Sequence, residues 1–491
     1  MTERGPEVRT RYGALRGSLK DGVAAFLGVP YAQAPVGPLR FRAPEPVDPW
    51  DGVREATAFG PTAPKRPYAP PLDALLPDPD IAGDDCLNLN VWAPWGDGPE
   101  SATPDGGRPV MVWIHGGSLI HGSSAVPVYD GTAFARDGVV LVSVNYRLGI
   151  EGFGVFPDAP GNLGLRDQIA ALTWVRDTVA DFGGDPERVT VFGESAGAIS
   201  ITALLASPLA KGLFRRAVVQ SGAPIAQPLG KARRTTEAVA ARLKVPATAE
   251  AFARVDREKL LTAQTKVTGK GSPLTGGHSF QIVVDGEVVP RDPAEALADG
   301  ASAEVDLLMG TTTEEYRLWF VPSGVTDRVG PLVQRLLLWK AKVPSRAARV
   351  YRAGRPQEKP GEILGALATD KLLRIPLNTL ADARLRSGAR AGTYLYEFGW
   401  PSPVLGLGAC HALELGFVFD TLDLPETRAL TGPDAPGELA AAMHAAWVSF
   451  AATGDPGWRT WDPARPVMTY GRGVPSLIEA PREAERRAWD V

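Results

Sequence analysis

A chain of 491 residues that is 44% hydrophobic and 22% charged is long enough to bury a large core. Its 52 basic and 56 acidic residues leave a formal charge of −4 with no long block of either sign, which excludes the footprint of a nucleic-acid binder. No apolar run approaches the ~20 residues needed to span a membrane, and "MTERGPEVRTRYG" has no apolar leader core. A soluble, cytoplasmic protein with no membrane partner is expected.

In chain order, the proline-rich stretch 61–80, "PTAPKRPYAPPLDALLPDPD", predicts a surface loop. Strand-like runs follow at 110–114 (VMVWI) and 139–144 (VVLVSV). Across 163–182, Leu165, Ile169, Leu172, Val175, Val179 and Phe182 recur at three- and four-residue steps, which predicts one face of a helix. A strand at 189–192 (VTVF), a helix at 196–206 and a strand at 217–219 come next. Further strands are expected at 305–309 and 393–398, and a last helix at 438–452. Strands separated by helices imply a mostly parallel sheet covered on both faces, the α/β class. Residues at about 225–285 and 321–365 read as helical or irregular insertions. Ligands bind such sheets outside the carboxyl ends of the strands, where insertions would form a cap.

Cys86 and Cys410 are too far apart in sequence for a metal-spaced cluster, and both are read as reduced thiols. None of His115, His121, His278, His411 and His444 forms an HxxxH or HxH pair, so no metal site is expected.

The chemistry concentrates in four short segments. "VFGESAGAIS" sets Ser195 between Gly193 and Gly197 at a strand-to-helix corner, the G-x-S-x-G pattern of an exposed nucleophile. A serine hydroxyl needs an imidazole to take its proton, an acid to orient that imidazole, and donors facing the developing oxyanion. "WIHGGSLIHG" offers His115-Gly116-Gly117 straight after a strand, "MGTTTEEYRLW" offers Glu314 and Glu315, and "GACHALELGFVFD" offers His411. Each alone is also a glycine turn, a solvated acid pair or a structural histidine. Together they follow the order loop, serine, acid, histidine.

With these segments in hand, the chain resembles the type-B carboxylesterase family. The matching blocks span nearly its whole length: "FLGVPYAQAPVGPLRF" (26–41), "DDCLNLNVW" (84–92), "NYRLGIEGF" (145–153), "GNLGLRDQIAALTWV" (161–175), "FGGDPERVTVFGESAGA" (182–198) and "VVQSGAP" (218–224). The resemblance implies an α/β-hydrolase fold, a single catalytic unit over 1–491, and a serine esterase acting through an acyl-enzyme. It assigns Ser195 as nucleophile, His411 as base and Glu315, the second acid of the G-x-x-x-[DE]-E segment, as the third member. Oxyanion donors map to the backbone of Gly117, Ser118 and Ala196, while Ser221 and Glu414 map to supporting positions around the triad. The implied partner is a small-molecule ester, and no metal or organic cofactor is implied. Two departures stand out. Ser118 replaces a common third glycine and narrows the acyl side of the pocket. Residues 61–85 lack the choline-binding tryptophan of cholinesterases, which speaks against that activity.

Overall fold

In the computed structural model, which describes residues 5–96, 105–269 and 277–489, an eleven-stranded sheet forms the centre. Its strands are β1 (Ser18–Lys20), β2 (Val23–Pro30), β3 (Asn88–Pro94), β4 (Arg108–Ile114), β5 (Val140–Val144) and β6 (Gly184–Glu194). They continue with β7 (Arg216–Gln220), β8 (Asp306–Thr312), β9 (Thr393–Phe398), β10 (Pro466–Tyr470) and β11 (Ser476–Glu479). Across the sheet the order is β11-β10-β9-β8-β7-β6-β4-β5-β3-β2-β1. Every pairing from β10 to β5 is parallel, and the pairings beyond them are antiparallel.

The principal helices are α1 (Leu163–Thr178), α2 (Ala196–Ala206), α3 (Leu229–Leu243), α4 (Arg257–Thr268), α5 (Pro331–Lys340), α6 (Ser345–Gly354), α7 (Pro360–Thr369) and α8 (Gly437–Thr453). The alternation of side chains along a strand explains why the central strands read as unbroken apolar runs. Val110, Val112 and Ile114 of β4 enter one core with Leu165 and Val175 of α1 and Ile201 of α2. Met111 and Trp113 enter the other, with Trp447 and Phe450 of α8. Trp113 is fully buried against Tyr129, Phe192 and Phe419, so truncating it to Ala should cost about 3–5 kcal/mol.

All six strands expected from apolar runs are present. The outer strands β1, β2, β3, β10 and β11 were not expected, because their runs are short or interrupted. β3 carries the buried Asn88 and Asn90, and β2 has a register shift between Phe26 and Val29. The long helix ends at Thr178, and Val179 and Phe182 pack from a short turn closed by Gly183 at φ 81°. In the first insertion lie α3 and α4, with residues 270–276 outside the described set, as are residues 1–4 of the N-terminal reading. The second holds α5, α6 and α7 around a small core of its own, including Leu338, Tyr351 and Leu364.

Candidate active site

β6 ends at Glu194 and α2 begins at Ala196, so Ser195 is the corner between them. Its backbone sits at φ 55°, ψ −119°, a conformation that costs a side-chain-bearing residue about 1–3 kcal/mol. The flanking glycines let this corner press against β4: a Cβ on Gly193 would stand 2.6 Å from the Ile114 carbonyl oxygen, and one on Gly197 2.0 Å. The corner is pinned from β7, where the Gln220 carbonyl accepts the Ser195 N–H at 2.9 Å.

The loop after β4 faces the same corner. Gly117 (φ 107°), Ser118 (φ 56°) and Leu119 (φ 61°) are consecutive left-handed residues. Their turn is closed by Ile120 and His121 N–H groups donating to the Gly117 carbonyl, at 3.0 and 2.8 Å. This leaves the N–H groups of Gly117, Ser118 and Ala196 without an acceptor in the chain, among the described residues. Ser118 lines the pocket, whereas Leu119 turns into the core. His115 is buried, stacks on Tyr146 and binds the Gly116 carbonyl through Nδ1 at 2.8 Å. Burial pushes it down to about 4, so it is a neutral structural side chain.

β8 and the loop after β9 deliver the acid and the imidazole. Glu315 Oε2 meets His411 Nδ1 at 2.5 Å, while its Oε1 accepts the Ser221 hydroxyl at 2.6 Å and the Thr312 N–H at 2.8 Å. Ser221 thus contacts Glu315 directly. Glu314 departs from the reading as a solvated acid. Its carboxylate accepts the Ala409 N–H at 2.9 Å and lies 3.5 Å from Arg317. It pins the loop that carries His411.

The other imidazole nitrogen also faces a carboxylate. His411 Nε2 lies 2.8 Å from Glu194 Oε1, and no hydrogen bond joins it to Ser195 Oγ among the described residues. Burial alone would lower His411, but the carboxylates of Glu194 and Glu315 more than offset it and hold the imidazole well above its usual range. Burial in turn raises Glu194, with His411 pulling it back. Glu414 does not bond to the imidazole. It is fully buried, accepts the Gln220 amide at 3.3 Å, and is pushed up to about 8 by burial and by the neighbouring Glu194 and Glu315.

These groups line a pocket of about 840 Å³, counting its open mouth. Its walls include Leu318, Trp319, Leu413 and Leu430, and the Trp319 ring lies 4.8 Å from that of His411. The stretch 61–80 is not a plain surface loop, as its composition suggested: Tyr68, Leu75, Leu76 and Pro77 form one wall. It is locked there by buried Asp78, which accepts the Gly122 N–H at 3.1 Å and pairs with buried Lys65 at 3.2 Å. Tyr68 stacks on His121 at 4.2 Å. Glu194, Trp319 and this wall were missed from sequence. Glu194 carried the only available signal, its place beside the serine. Cys86 and Cys410 are both unbridged and buried, and His278 is exposed.

Comparison with known proteins fits this arrangement. A family model described as the carboxylesterase family matches residues 4–470. The para-nitrobenzyl esterase of Bacillus subtilis (strain 168) is 38% identical over 462 residues, which cover 91% of this chain and 90% of that protein. Phenmedipham hydrolase of Pseudarthrobacter oxydans is 36% identical, with 99% of this chain and 97% of that protein covered. A crystal structure of a Geobacillus stearothermophilus carboxylesterase superposes with a TM-score of 0.86 at 37% identity, covering 98% of this chain and 99% of that one.

Proposed function

Since the chain belongs to the carboxylesterase family and is a carboxylic ester hydrolase, we propose that Ser195 is its nucleophile, His411 its base and Glu315 the acid that orients the base. One observation carries this reading: a serine on a strained corner faces three unpartnered N–H groups, with a carboxylate-held imidazole on the same pocket floor.

In this reading His411 Nε2 first turns from Glu194 to the adjacent Ser195. Ser195 Oγ then attacks the ester carbonyl carbon and passes its proton to Nε2. The oxyanion accepts hydrogen bonds from the N–H groups of Gly117, Ser118 and Ala196. Collapse expels the alcohol, which leaves with the proton from His411, and the acyl group stays on Ser195 Oγ. Water attacks the acyl-enzyme, gives its proton to His411, and the carboxylic acid departs. Glu315 is kept in place by Ser221 and Thr312 and steadies the imidazolium. Glu414 acts at one remove, holding Gln220, whose carbonyl pins Ser195.

The largely apolar walls suit a small uncharged ester. We read the whole chain as one hydrolase unit in which insertions 225–285 and 321–365 serve as the cap, and we assign it to the cytoplasm, a reading supported by the two unbridged thiols. A fluorophosphonate should give one adduct per chain, mapping to Ser195, and Ser195→Ala should abolish hydrolysis of a p-nitrophenyl ester. An adduct on another serine, or an undiminished Ser195→Ala variant, would overturn the assignment. Chelators should leave activity unchanged.

A further inference from the structure

The absence of a membrane partner was expected from spanning length alone, and among the described residues no helix is long and apolar enough to cross a membrane. A helix that lies on a lipid surface answers to a different criterion, an apolar stripe bordered by basic residues. Helix α5 exposes Leu332 at 83%, Trp339 at 74%, Leu336 at 49% and Val333 at 48%. At about 100° per residue, Leu332, Leu336 and Trp339 fall on one face, opposite the buried Gln334 and Leu338. Exposed Arg335 borders that stripe on one side and exposed Lys340 on the other. Contiguous exposed apolar side chains rimmed by charge mark an interaction surface.

The local charge selects the partner. Residues 325–359 carry nine Lys or Arg against two Asp or Glu, in a chain whose formal charge is −4. Both acids are already engaged: Asp327 pairs with Lys359 at 2.6 Å, and Glu358 lies 3.6 Å from Arg355. Arg335, Lys340, Lys342 and Arg349 are exposed and make no ion pair within the chain, among the described residues. A second copy docked face to face would set these like charges against each other. An anionic lipid surface satisfies both features, with headgroups for the basic rim and acyl chains for the stripe. The core behind α5 also takes in Phe320, the neighbour of Trp319 in the pocket wall, so helix and wall belong to one packed unit.

We propose that α5 docks this protein peripherally on anionic lipid. Co-sedimentation of the full chain with vesicles tests it. Binding to phosphatidylglycerol-rich vesicles should exceed binding to pure phosphatidylcholine by at least about tenfold and should fall with added salt. Leu332→Ser with Trp339→Ser should abolish it, as should Arg335→Gln with Lys340→Gln. All four positions lie outside the pocket, so each pair should keep parental hydrolysis of soluble p-nitrophenyl acetate, which also reports correct folding. Equal affinity for the two vesicle types, no binding at all, or binding retained by both variants would overturn the proposal. So would a concentration-dependent dimer that the apolar pair dissolves, since that assigns the face to a second copy.

Discussion

Glu314 and Glu315 are neighbours with identical side chains, and their surroundings give them different work. Glu315 is buried against His411, Ser221 and the Thr312 N–H, whereas Glu314 pins the Ala409 end of the histidine loop. Glu315→Gln removes the charge that steadies the imidazolium, and kcat should fall by ~10²–10⁴, the upper figure being the loss known for the corresponding change in a serine protease. Glu314→Gln keeps an oxygen for Ala409 and should cost less than about tenfold. Steady-state kinetics of the two variants decide between them, and a crippled Glu314→Gln would mean the acid is misassigned. Glu194 adds a second residue-scale effect. His411 sits between two carboxylates that raise it, so its neutral form accumulates only as pH climbs above the ordinary imidazole range. The ascending limb of kcat/KM should therefore lie above ~6.5, and Glu194→Gln should move it toward acid by about a unit or more. A pH profile with a non-titrating substrate checks this, and an unmoved limb would show that Glu194 does not set the base.

At the scale of elements, the pocket floor is assembled from the ends of parallel strands, and its wall is a loop. β4, β6 and β8 lead into the turn at Gly117, Ser195 and the loop of Glu315, while the loop after β9 carries His411. The 61–80 stretch is tied to that floor through Asp78, whose removal would leave Lys65 buried and unpaired. Asp78→Ala should lower stability by about 3–5 kcal/mol and raise KM, since Tyr68, Leu75 and Leu76 would lose their anchor. Thermal melts together with substrate saturation curves test both parts. A variant with parental melting and KM would show the loop to be held by other contacts.

Across the whole molecule, buried titratable groups link stability to pH. The raised Glu414, at about 8, binds a proton more tightly in the folded state than an unfolded carboxyl near 4.5. Its contribution is complete below the unfolded value and is lost as pH rises from about 4.5 through 8. Glu414→Gln cannot titrate, so its melting temperature relative to the parent should rise between pH 5 and pH 8; a constant difference would count against a protonated Glu414. The thiols give a second global test. Cys86 is buried and pushed up to about 12, and burial also raises Cys410, so native protein should resist thiol reagents while unreduced, denatured protein yields two groups. Finding none after denaturation would mean a bridge.

Much of this protein is legible in one dimension, for physical reasons. Strands buried on both faces are apolar at most central positions, so β4 to β9 show as short runs, and α1 shows by its spacing. The corner at Ser195 and the turn at Gly117 require glycine, which leaves a local mark. Family resemblance then singles out Glu315 and His411, which local pattern alone could not. What the tertiary structure decided depends on contacts between distant segments. The Glu194 contact at His411 Nε2, the Glu314 anchor on the Ala409 N–H and the Lys65–Asp78 lock all use charged side chains, Glu194, Glu314, Lys65 and Asp78, that would pass for surface residues in the sequence. A polar residue looks the same in a sequence whether water or a buried partner satisfies it, and only the fold brings that partner within reach. The exposed face of α5 is the converse case: a leucine looks the same in a sequence whether packed or bare, and only the packing shows that no part of the described chain covers Leu332 and Leu336.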